Sequence, residues 1–442
     1  MEDSSIELNE LPDEILIIIL KKLFNTEVLY SLIDVNKRLN SIVHDPIFTS
    51  HLILMRCFSD DSIYPLPDSI LDRFCSQILS SIHHKIKWLN LESSSMKRIL
   101  LATNYPNLYG LGLYNIEAET ALSLFIDESC LTSINKSKIS SLVIDVTKYK
   151  KISSSKDVIE KLPNLRCFSL FCEMPINVYN KLIVPFLQRM SNLEKLCLNL
   201  IVRSENTFID GNELKQNIIN HMARLQRFEF YICSSISLRN QIYLQSKEDI
   251  QHTFRDFKDD QVISYVDYFQ KEQCSLCHIY LYLDQLKYYY TVTNNFPGGL
   301  FPCVRKISLY DDHPFEHEFF LRIAQSFPFM QTLSLKNFKP QNNKLCKESQ
   351  NDNQHFSIIN YSYLTNLTLY DAHDDYIEEF LVDTKICLPN NAVHVNIYYE
   401  QLKRVTHNFT RDTTRINCAK LNSLHLNGRR LPKYAKDYFP HV

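Results

Sequence analysis

Residues 302–310 read PCVRKISLY and residues 328–336 read PFMQTLSLK. Both segments contain the pattern apolar-x-x-apolar-x-apolar, with a proline two residues before the first apolar position. Alternate side chains of a strand face opposite sides, so the last two apolar residues of each triplet would share one buried face. The triplet recurs as Ile86/Leu89/Leu91, Leu108/Leu111/Leu113, Ile139/Leu142/Ile144, Leu165/Phe168/Leu170, Leu193/Leu196/Leu198, Leu225/Phe228/Phe230, Leu276/Ile279/Leu281, Val304/Ile307/Leu309, Met330/Leu333/Leu335, Leu364/Leu367/Leu369, Ala392/Val395/Ile397 and Leu421/Leu424/Leu426.

Helix-like segments separate these triplets, for example at 178–190, 212–223 and 318–327, although Pro185 should kink the first of them. A helix, a stop and a short strand about every 28 residues are typical of a βα solenoid, in which each repeat is stabilised by its neighbours. The triplet alone is a weak signal, because chance gives about 40 matches in a chain that is 45% hydrophobic. The alternative is a generic α/β domain with parallel strands.

The N-terminal residues 11–48 read LPDEILIIILKKLFNTEVLYSLIDVNKRLNSIVHDPIF. Pro12 suits the first position of a helix, and acidic residues at 13 and 14 favour a helix N-terminus. The helix is apolar nearly all round, interrupted by Lys21 and Lys22. Such a helix requires cover on both sides, either from its own chain or from its own domain and a partner.

The succession of LPDEIL at 11–16, the apolar stretch after it and VNKR at 35–38 resembles the F-box. Asn36 stands where cysteine is common in that family, and Leu39 where an aromatic residue is common. The resemblance implies docking on a Skp-type adaptor through Leu11, Pro12, Ile15, Leu16, Ile19, Leu20 and Val35. Some of these residues must form the F-box core instead, and the sequence does not separate the two groups.

The triplets resemble leucine-rich repeats, except that the usual Asn or Cys three residues after the last strand leucine is nearly absent, with Cys233 the one match. We therefore expect an α/β fold with a small N-terminal helical F-box at 5–52 and a helical linker at 53–85. An irregular leucine-rich-repeat-like βα solenoid would follow at 86–442, as a horseshoe arc with parallel strands. An insertion or a degenerate repeat is expected near 232–275, and a polar loop near 338–360.

The residue after each triplet should face the concave surface of such an arc. It is aromatic in seven of the twelve units, although aromatic residues make up only 12% of the chain: Tyr114, Phe171, Tyr231, Tyr282, Tyr310, Tyr370 and Tyr398. An exposed aromatic strip would bind a protein substrate, because tyrosine combines apolar area with a polar end. The alternative is that these rings stack on one another within the sheet.

The composition argues against several classes of protein. A net charge of -2 gives no electrostatic signature of nucleic-acid or membrane binding. The longest strongly apolar run near the N-terminus is too short to cross a bilayer. Thirteen cysteines without an export signal are typical of reduced thiols in the cytoplasm or nucleus. Six glycines, with no third glycine near Gly110 and Gly112, provide no phosphate-binding loop.

The string Cys274-x-x-Cys277-His278 matches a haem-attachment motif and half of a zinc site, but no second ligand pair accompanies it. We therefore expect no metal and no cofactor. The acidic pairs at 311–312 and 374–375 are expected to serve the starts of helices rather than a catalytic site.

These features predict a substrate-recognition subunit of a cullin-type ubiquitin ligase, which is not itself an enzyme. Its F-box would hold the Skp-type adaptor and the cullin scaffold, and its repeats would hold a protein substrate. One alternative is a non-degradative interaction scaffold, in which the F-box serves only as an adaptor-binding or capping module. Another is an enzyme with an unrecognised site, which would require a pocket with convergent polar groups of perturbed pKa.

Overall fold

The computed structural model describes residues 11–58, 62–117, 136–148, 164–240, 245–257, 262–281, 286–342, 357–390 and 392–442. These residues form a mixed α/β structure in which parallel strand pairs predominate. The chain divides into two compact units, one comprising residues 1–200 and 213–228 and the other 201–212 and 229–442. None of the described helices combines the length and the apolarity needed to cross a lipid bilayer.

Four short helices begin the first unit: α1 (Asp13–Leu20), α2 (Asn25–Leu32), α3 (Lys37–Val43) and α4 (Pro46–Thr49). Two of them start at a polar side chain that accepts a backbone hydrogen bond. The Asn36 oxygen accepts the N–H of Leu39 at 2.8 Å, and the Asp45 carboxylate accepts the N–H of Ile47 at 2.8 Å. The buried apolar residues of this helical module are Leu16, Leu20, Val28, Leu29, Ile33, Leu39, Ile42, Val43 and Phe48.

The first unit also contains a sheet with the strand order β2-β1-β3-β4-β5-β6-β7. Its strands are β1 (His51–Cys57), β2 (Ile63–Pro65), β3 (Trp88–Glu92), β4 (Gly110–Glu117), β5 (Ser141–Lys148), β6 (Cys167–Ile176) and β7 (Lys195–Arg203). The strands from β3 to β6 are parallel, and the central residues of successive triplets are register partners. Leu111, for example, pairs with Leu89 on one side and Leu142 on the other. The repeated apolar pattern therefore sets the register here.

The prediction of a helical linker over residues 53–85 is wrong in its first part. Strand β1 alternates buried and exposed residues and pairs in parallel with β3, and β2 pairs with β1 in antiparallel. The sheet therefore begins at His51 rather than near residue 86. Helical structure follows only at α5 (Asp68–Arg73), a π-helical turn (Phe74–Ile78) and α6 (Leu79–Ile82).

The remaining described helices up to residue 252 are α7 (Ser93–Ala102), α8 (Val184–Gln188), α9 (Gly211–Asn217) and α10 (Lys247–His252). Short 3₁₀ turns occur at Lys136–Lys138, Ile219–His221 and Leu238–Asn240, and a π-helical turn at Tyr179–Ile183. The π-helical turn runs directly into α8 one residue before Pro185. The predicted helix over 178–190 is thus irregular at the proline, as expected.

Residues 232–275 include an antiparallel hairpin. Strands β9 (Ile263–Phe269) and β10 (Cys274–Leu281) pair with each other, and β10 pairs in antiparallel with β8 (Arg227–Ser237). The triplet Leu276/Ile279/Leu281 therefore lies on a strand that runs against its neighbours, contrary to the prediction of an all-parallel array. Alternation of apolar residues is the same in parallel and antiparallel strands, so the pattern does not distinguish them.

The second unit contains a six-stranded parallel sheet: β11 (Tyr288–Val292), β12 (Lys306–Tyr310), β13 (Thr332–Asn337), β15 (Asn366–Ala372), β17 (Val393–Asn396) and β18 (Leu421–His425). Strands β14 (Ile359–Asn360) and β16 (Ile386–Cys387) form a separate pair. Ile307, Leu333, Leu367, Val395 and Leu424 are successive register partners, as the triplets predict. Between strands lie α11 (His317–Ser326), α12 (Asp374–Leu381), α13 (Tyr399–Val405) and α14 (Asp412–Ala419).

The C-terminal residues take part in the apolar core of the second unit. After β18, a 3₁₀ turn (Lys433–Ala435) leads into buried Tyr438 and Phe439, which join the same apolar core as the strands. These C-terminal residues therefore contribute to the core of the second unit. Of the predicted polar loop over 338–360, residues 343–356 lie outside the described residues.

Candidate protein-interaction surfaces

Helix α1 is apolar on two opposite sides, and only one of them is covered. Leu16 and Leu20 are buried, whereas Ile15, Ile18 and Ile19 are 42%, 56% and 41% exposed. At 3.6 residues per turn these three isoleucines share one side of the helix, which we call the α1 face. Adjoining exposed apolar residues, unlike scattered ones, mark an interaction surface.

The structure separates the seven predicted adaptor-binding residues into two groups. Leu16 and Leu20 belong to the core, and the exposed or half-buried ones are Leu11, Pro12, Ile15, Ile19 and Val35. Ile18 and two residues that follow the helix, Leu23 and Phe24, are also exposed, although the sequence prediction did not include them. The spacing of three from Ile15 to Ile18 is the signal that could have added Ile18, because residues three apart are neighbours on a helix.

Arg38, in the second part of the F-box-like sequence, fixes the start of α1. Its Nε donates a hydrogen bond to Asp13 Oδ1 at 2.7 Å, and its Nη2 donates to the carbonyl oxygen of Leu11. One side chain of α3 thereby holds the residue before Pro12 and the first residue of α1. This contact orders the N-terminal end of the α1 face.

The six-stranded sheet of the second unit presents a polar face opposite its apolar core. Its residues alternate with the buried triplet positions and are exposed or half-buried. We call this surface the open face; it comprises Lys306, Ser308, Tyr310, Thr332, Ser334, Lys336, Asn366, Thr368, Tyr370, His394, Asn396 and Tyr398. Side chains of this mixed aromatic and hydrogen-bonding character are typical of protein-binding surfaces.

The predicted aromatic strip is present only in part. Tyr114 and Phe171 are half-buried in the first unit, and Tyr310, Tyr370 and Tyr398 lie on the open face of the second. The rings of Tyr370 and Tyr398 are in contact, with centroids 5.0 Å apart, whereas Tyr310 packs on Phe269. Tyr282 lies outside the described residues.

The prediction that Tyr231 belongs to this exposed strip is wrong, because its side chain is buried. Its hydroxyl accepts the backbone N–H of Tyr290 at 3.1 Å and donates to the carbonyl oxygen of the same residue at 3.2 Å. Tyr290 lies in β11, the edge strand of the six-stranded sheet. The hydroxyl thus takes the place of a neighbouring strand for one residue, and Tyr231 has a structural role.

The Cys274-x-x-Cys277-His278 string does not form a ligand set. Cys277 and His278 are consecutive in β10, so their side chains point to opposite faces of the sheet. His278 is buried against the ring of Tyr265, with centroids 4.6 Å apart, and burial lowers its pKa to about 3. Within the described residues, no three His, Cys, Asp or Glu side chains come together in a way that could hold a metal ion.

The two acidic pairs differ in their roles. Asp374 and Asp375 lie in the first turn of α12, as expected. Asp311 instead accepts the backbone N–H groups of Asn294 and His313, both at 2.8 Å, and so orders a loop rather than a helix start.

One serine–histidine pair lies at the edge of the open face. His394 Nδ1 is 2.6 Å from Ser423 Oγ, and His394 Nε2 is 3.4 Å from the side-chain nitrogen of Asn422. A serine can act as a nucleophile only where the imidazole accepts its proton, and these two contacts do not fix which nitrogen of His394 carries the ring proton.

A buried ionic cluster lies between α11 and α12 of the second unit. The Glu379 carboxylate contacts His317 Nδ1 at 2.6 Å and Lys385 Nζ at 3.0 Å, and both His317 and Glu379 are buried. Burial raises the pKa of Glu379, but the bonds and charges of His317 and Lys385 outweigh it and hold that pKa below its ordinary value. The hydrogen bond to Glu379 raises the pKa of His317. The carboxylate is thus held by its partners rather than free to move a proton.

A cavity of about 530 Å³ lies against α10 and contains none of these groups. Its lining residues are Lys247, Glu248, Gln251, His252, Phe254, Arg255 and Val262. An enzyme site requires titratable groups of perturbed pKa that converge on a pocket. The buried groups described above do not converge on this cavity.

The chain matches no protein-family model and no curated protein sequence.

Proposed function

We propose that this protein is a substrate-recognition subunit of a cullin-type ubiquitin ligase. In this proposal the α1 face binds a Skp-type adaptor, which links the chain to the cullin scaffold, and the open face binds a protein substrate. The other subunits transfer ubiquitin, and a substrate lysine reacts faster because it is held at high effective concentration. The F-box-like sequences at 11–16 and 35–38 supply the class of partner.

The α1 face is the observation that carries this proposal. The resemblance places adaptor contacts at Ile15, within LPDEIL, and at Ile19, and exposed Ile18 lies on the same side of the helix. Leaving them in water is unfavourable, since burying an isoleucine side chain stabilises by about 1.5–3 kcal/mol. A partner that covers the face would recover this free energy. The compartment of this proposal is the cytoplasm or the nucleus, where cysteines such as buried Cys233 and Cys418 stay reduced.

The test is capture of a purified Skp-type adaptor by the full chain and by an Ile18→Asp variant. The matched control is Ile416→Asp, because Ile416 is 54% exposed and lies on α14, which has eight residues as α1 does. We expect Ile18→Asp to abolish capture and Ile416→Asp to leave it unchanged. Equal capture by all three proteins would contradict the proposed role of the α1 face.

A non-degradative scaffold is the second candidate, favoured by the extent of the open face. It shares the adaptor contact but not ubiquitin transfer. A reconstituted reaction with adaptor, cullin and conjugating enzyme separates the two. Ubiquitin chains on a bound partner, lost in Ile18→Asp, support the ligase; adaptor binding without transfer to any bound partner supports the scaffold.

A further inference from the structure

Positive charge is concentrated at the C-terminal end of the chain. Residues 399–442 contain nine lysines and arginines against three aspartates and glutamates, a net charge of +6. Because the whole chain contains 48 basic and 50 acidic residues, the part before residue 399 has a net charge of -8. The nearly neutral total, which gives no sign of nucleic-acid binding, therefore hides a basic segment. Such charge asymmetry is typical of chains that bind a polyanion.

Four cations of this segment lie within residues 429–436. They are Arg429, Arg430, Lys433 and Lys436, which we call the basic end. All four are exposed, and none forms an ion pair with any residue that the structure describes. Asp437 is the only acidic residue in the sequence from 420 to 442. The basic end can therefore bind an anion without first breaking a salt bridge.

The acidic residues of helices α12, α13 and α14 and their connections do not neutralise the basic end. They are Asp374, Asp375, Glu378, Glu379, Asp383, Glu400 and Asp412. Two of them are buried. Asp374 pairs with Arg404 at 2.7 Å, and Glu378 pairs with Arg411 at 2.8 Å. None of the seven pairs with a residue of the basic end, which therefore keeps its positive charge.

The basic end belongs to a segment that packs on α14. The Tyr438 hydroxyl donates to the carbonyl oxygen of Arg411 at 2.6 Å, and exposed Arg415 of α14 lies 5.9 Å from the Tyr438 ring centroid. The N–H of Lys436 donates to the carbonyl oxygen of Lys433 at 3.3 Å, at the end of the 3₁₀ turn. Side chains three residues apart in such a turn lie on the same side. The two ammonium groups therefore face one partner together, and Arg415 adds a further cation close to this segment.

Tyr434 places an exposed aromatic ring between these two lysines. It is 63% exposed, and its hydroxyl donates to Asn408 Oδ1 at 3.0 Å. Its ring centroid lies 6.1 Å from that of Phe409. Residues 407–409 all have left-handed φ values, of 49°, 59° and 66°, which residues other than glycine adopt only where the surrounding structure holds them. The Tyr434 ring is thus fixed at its hydroxyl end, while much of its surface faces solvent.

We propose that the basic end binds single-stranded nucleic acid, with phosphates at its four cations and a base stacked on Tyr434. Proteins that bind single strands combine a positively charged surface with aromatic rings on which bases stack. An acidic peptide would use the cations but has no planar base for the ring. Insertion into a membrane requires an exposed apolar side, but Ala435, Tyr438 and Phe439 of this segment are buried. This activity goes beyond the proposed function and does not depend on it.

The experiment is fluorescence anisotropy of a labelled 20-nucleotide oligo-uridine RNA, and of the matching oligo-thymidine DNA, with the full chain at about 50 to 300 mM salt. Four phosphate contacts predict that the logarithm of the association constant falls with the logarithm of the salt concentration with a slope of about -3. A Lys433→Gln, Lys436→Gln double variant should reduce this slope by about 1.4. The matched control is Lys87→Gln, Lys97→Gln, which removes two exposed lysines of the first unit and should leave the slope unchanged.

Two substitutions at Tyr434 test the stacked base. Tyr434→Ser should weaken binding about 5- to 150-fold at a fixed salt concentration and leave the salt slope unchanged, because it removes a ring and no charge. Tyr434→Phe should bind nearly as well as the wild type, since the ring is retained. Because Tyr434 is exposed, both variants should unfold in urea at the wild-type midpoint.

Several results would overturn the inference. One is that neither oligonucleotide binds at about 50 mM salt, and another is that the lysine variant and its control have the same salt slope. Unchanged binding by Tyr434→Ser would reject the stacked base. Equal displacement of the RNA by a 20-residue polyglutamate peptide would indicate an acidic protein partner instead. The Ile18→Asp variant should lose the adaptor and keep RNA binding, so adaptor capture without RNA binding by the wild type would reject this inference alone.

Discussion

Glu379→Gln removes the charge at the centre of the buried cluster between α11 and α12. The wild-type carboxylate accepts from His317 and Lys385 at 2.6 and 3.0 Å, and hydrogen bonds to charged groups each stabilise by about 1.5–3 kcal/mol. A glutamine side chain keeps one acceptor oxygen. The partly exposed ammonium group of Lys385 can form hydrogen bonds with water instead. We therefore expect a loss of about 2–3 kcal/mol in the free energy of unfolding of the second unit, or about 4–12 °C in Tm.

The loss should depend on pH. The pKa of His317 is raised above 6.5, so its contribution is complete below that pH and disappears as pH rises through the folded-state value. The pKa of Glu379 is lowered below 4.5, so its contribution is complete above that pH and disappears as pH falls through the folded-state value. The cluster should stabilise most between about pH 4.5 and 6.5.

Urea unfolding at pH 5.5 and pH 9, followed by near-ultraviolet circular dichroism, measures both effects. The control is Glu378→Gln on the same helix, whose partly exposed ion pair with Arg411 should contribute less than about 1 kcal/mol. The reasoning fails if Glu379→Gln costs no more than Glu378→Gln. It also fails if the cost is as large at pH 9 as at pH 5.5, since His317 should then be neutral.

Two further substitutions test the packing. Tyr231→Phe should cost about 1–3 kcal/mol and accelerate hydrogen exchange of the Tyr290 amide, because that N–H loses its acceptor; unchanged exchange would contradict the edge role. Gly110→Ala should destabilise the first unit by about 1–3 kcal/mol in urea unfolding, because the new Cβ would lie 1.8 Å from the Trp88 ring. A stability equal to wild type would show that the ring moves freely.

Much of the parallel structure was predictable because strand registers follow from apolar spacing alone. Leu333 stands opposite Ile307 and Leu367 because each is the middle residue of its triplet. The hairpin of β9 and β10 was not predictable in this way, because apolar residues alternate equally in parallel and antiparallel strands. Strand β1 gives no such signal, because residues 52–55 are continuously apolar and the alternation appears only in the burial of the folded strand.

The candidate surfaces were predictable only in outline. A helix as apolar as α1 gives no sequence contrast between Leu16, which is buried, and Ile15, which is exposed; only packing decides which side is covered. Tyr231 was misplaced for a related reason. Strand β8 is buried on both faces over most of its length, so a position that faces outward in the repeats faces a second layer here. Lys306 lies over the ring of Tyr288, which belongs to a different strand, so no local sequence pattern indicates this contact.

The hydroxyl of Tyr231 has a consequence for solubility. An edge strand with free backbone groups can recruit a strand from another molecule, and such pairing propagates into aggregates. Strand β11 is rich in tyrosine and lacks charged residues, which makes it a suitable template for that process. By occupying both polar groups of Tyr290, the hydroxyl closes the middle of this edge, and the protein is protected there against self-templated assembly without a proline or a charge in the strand itself.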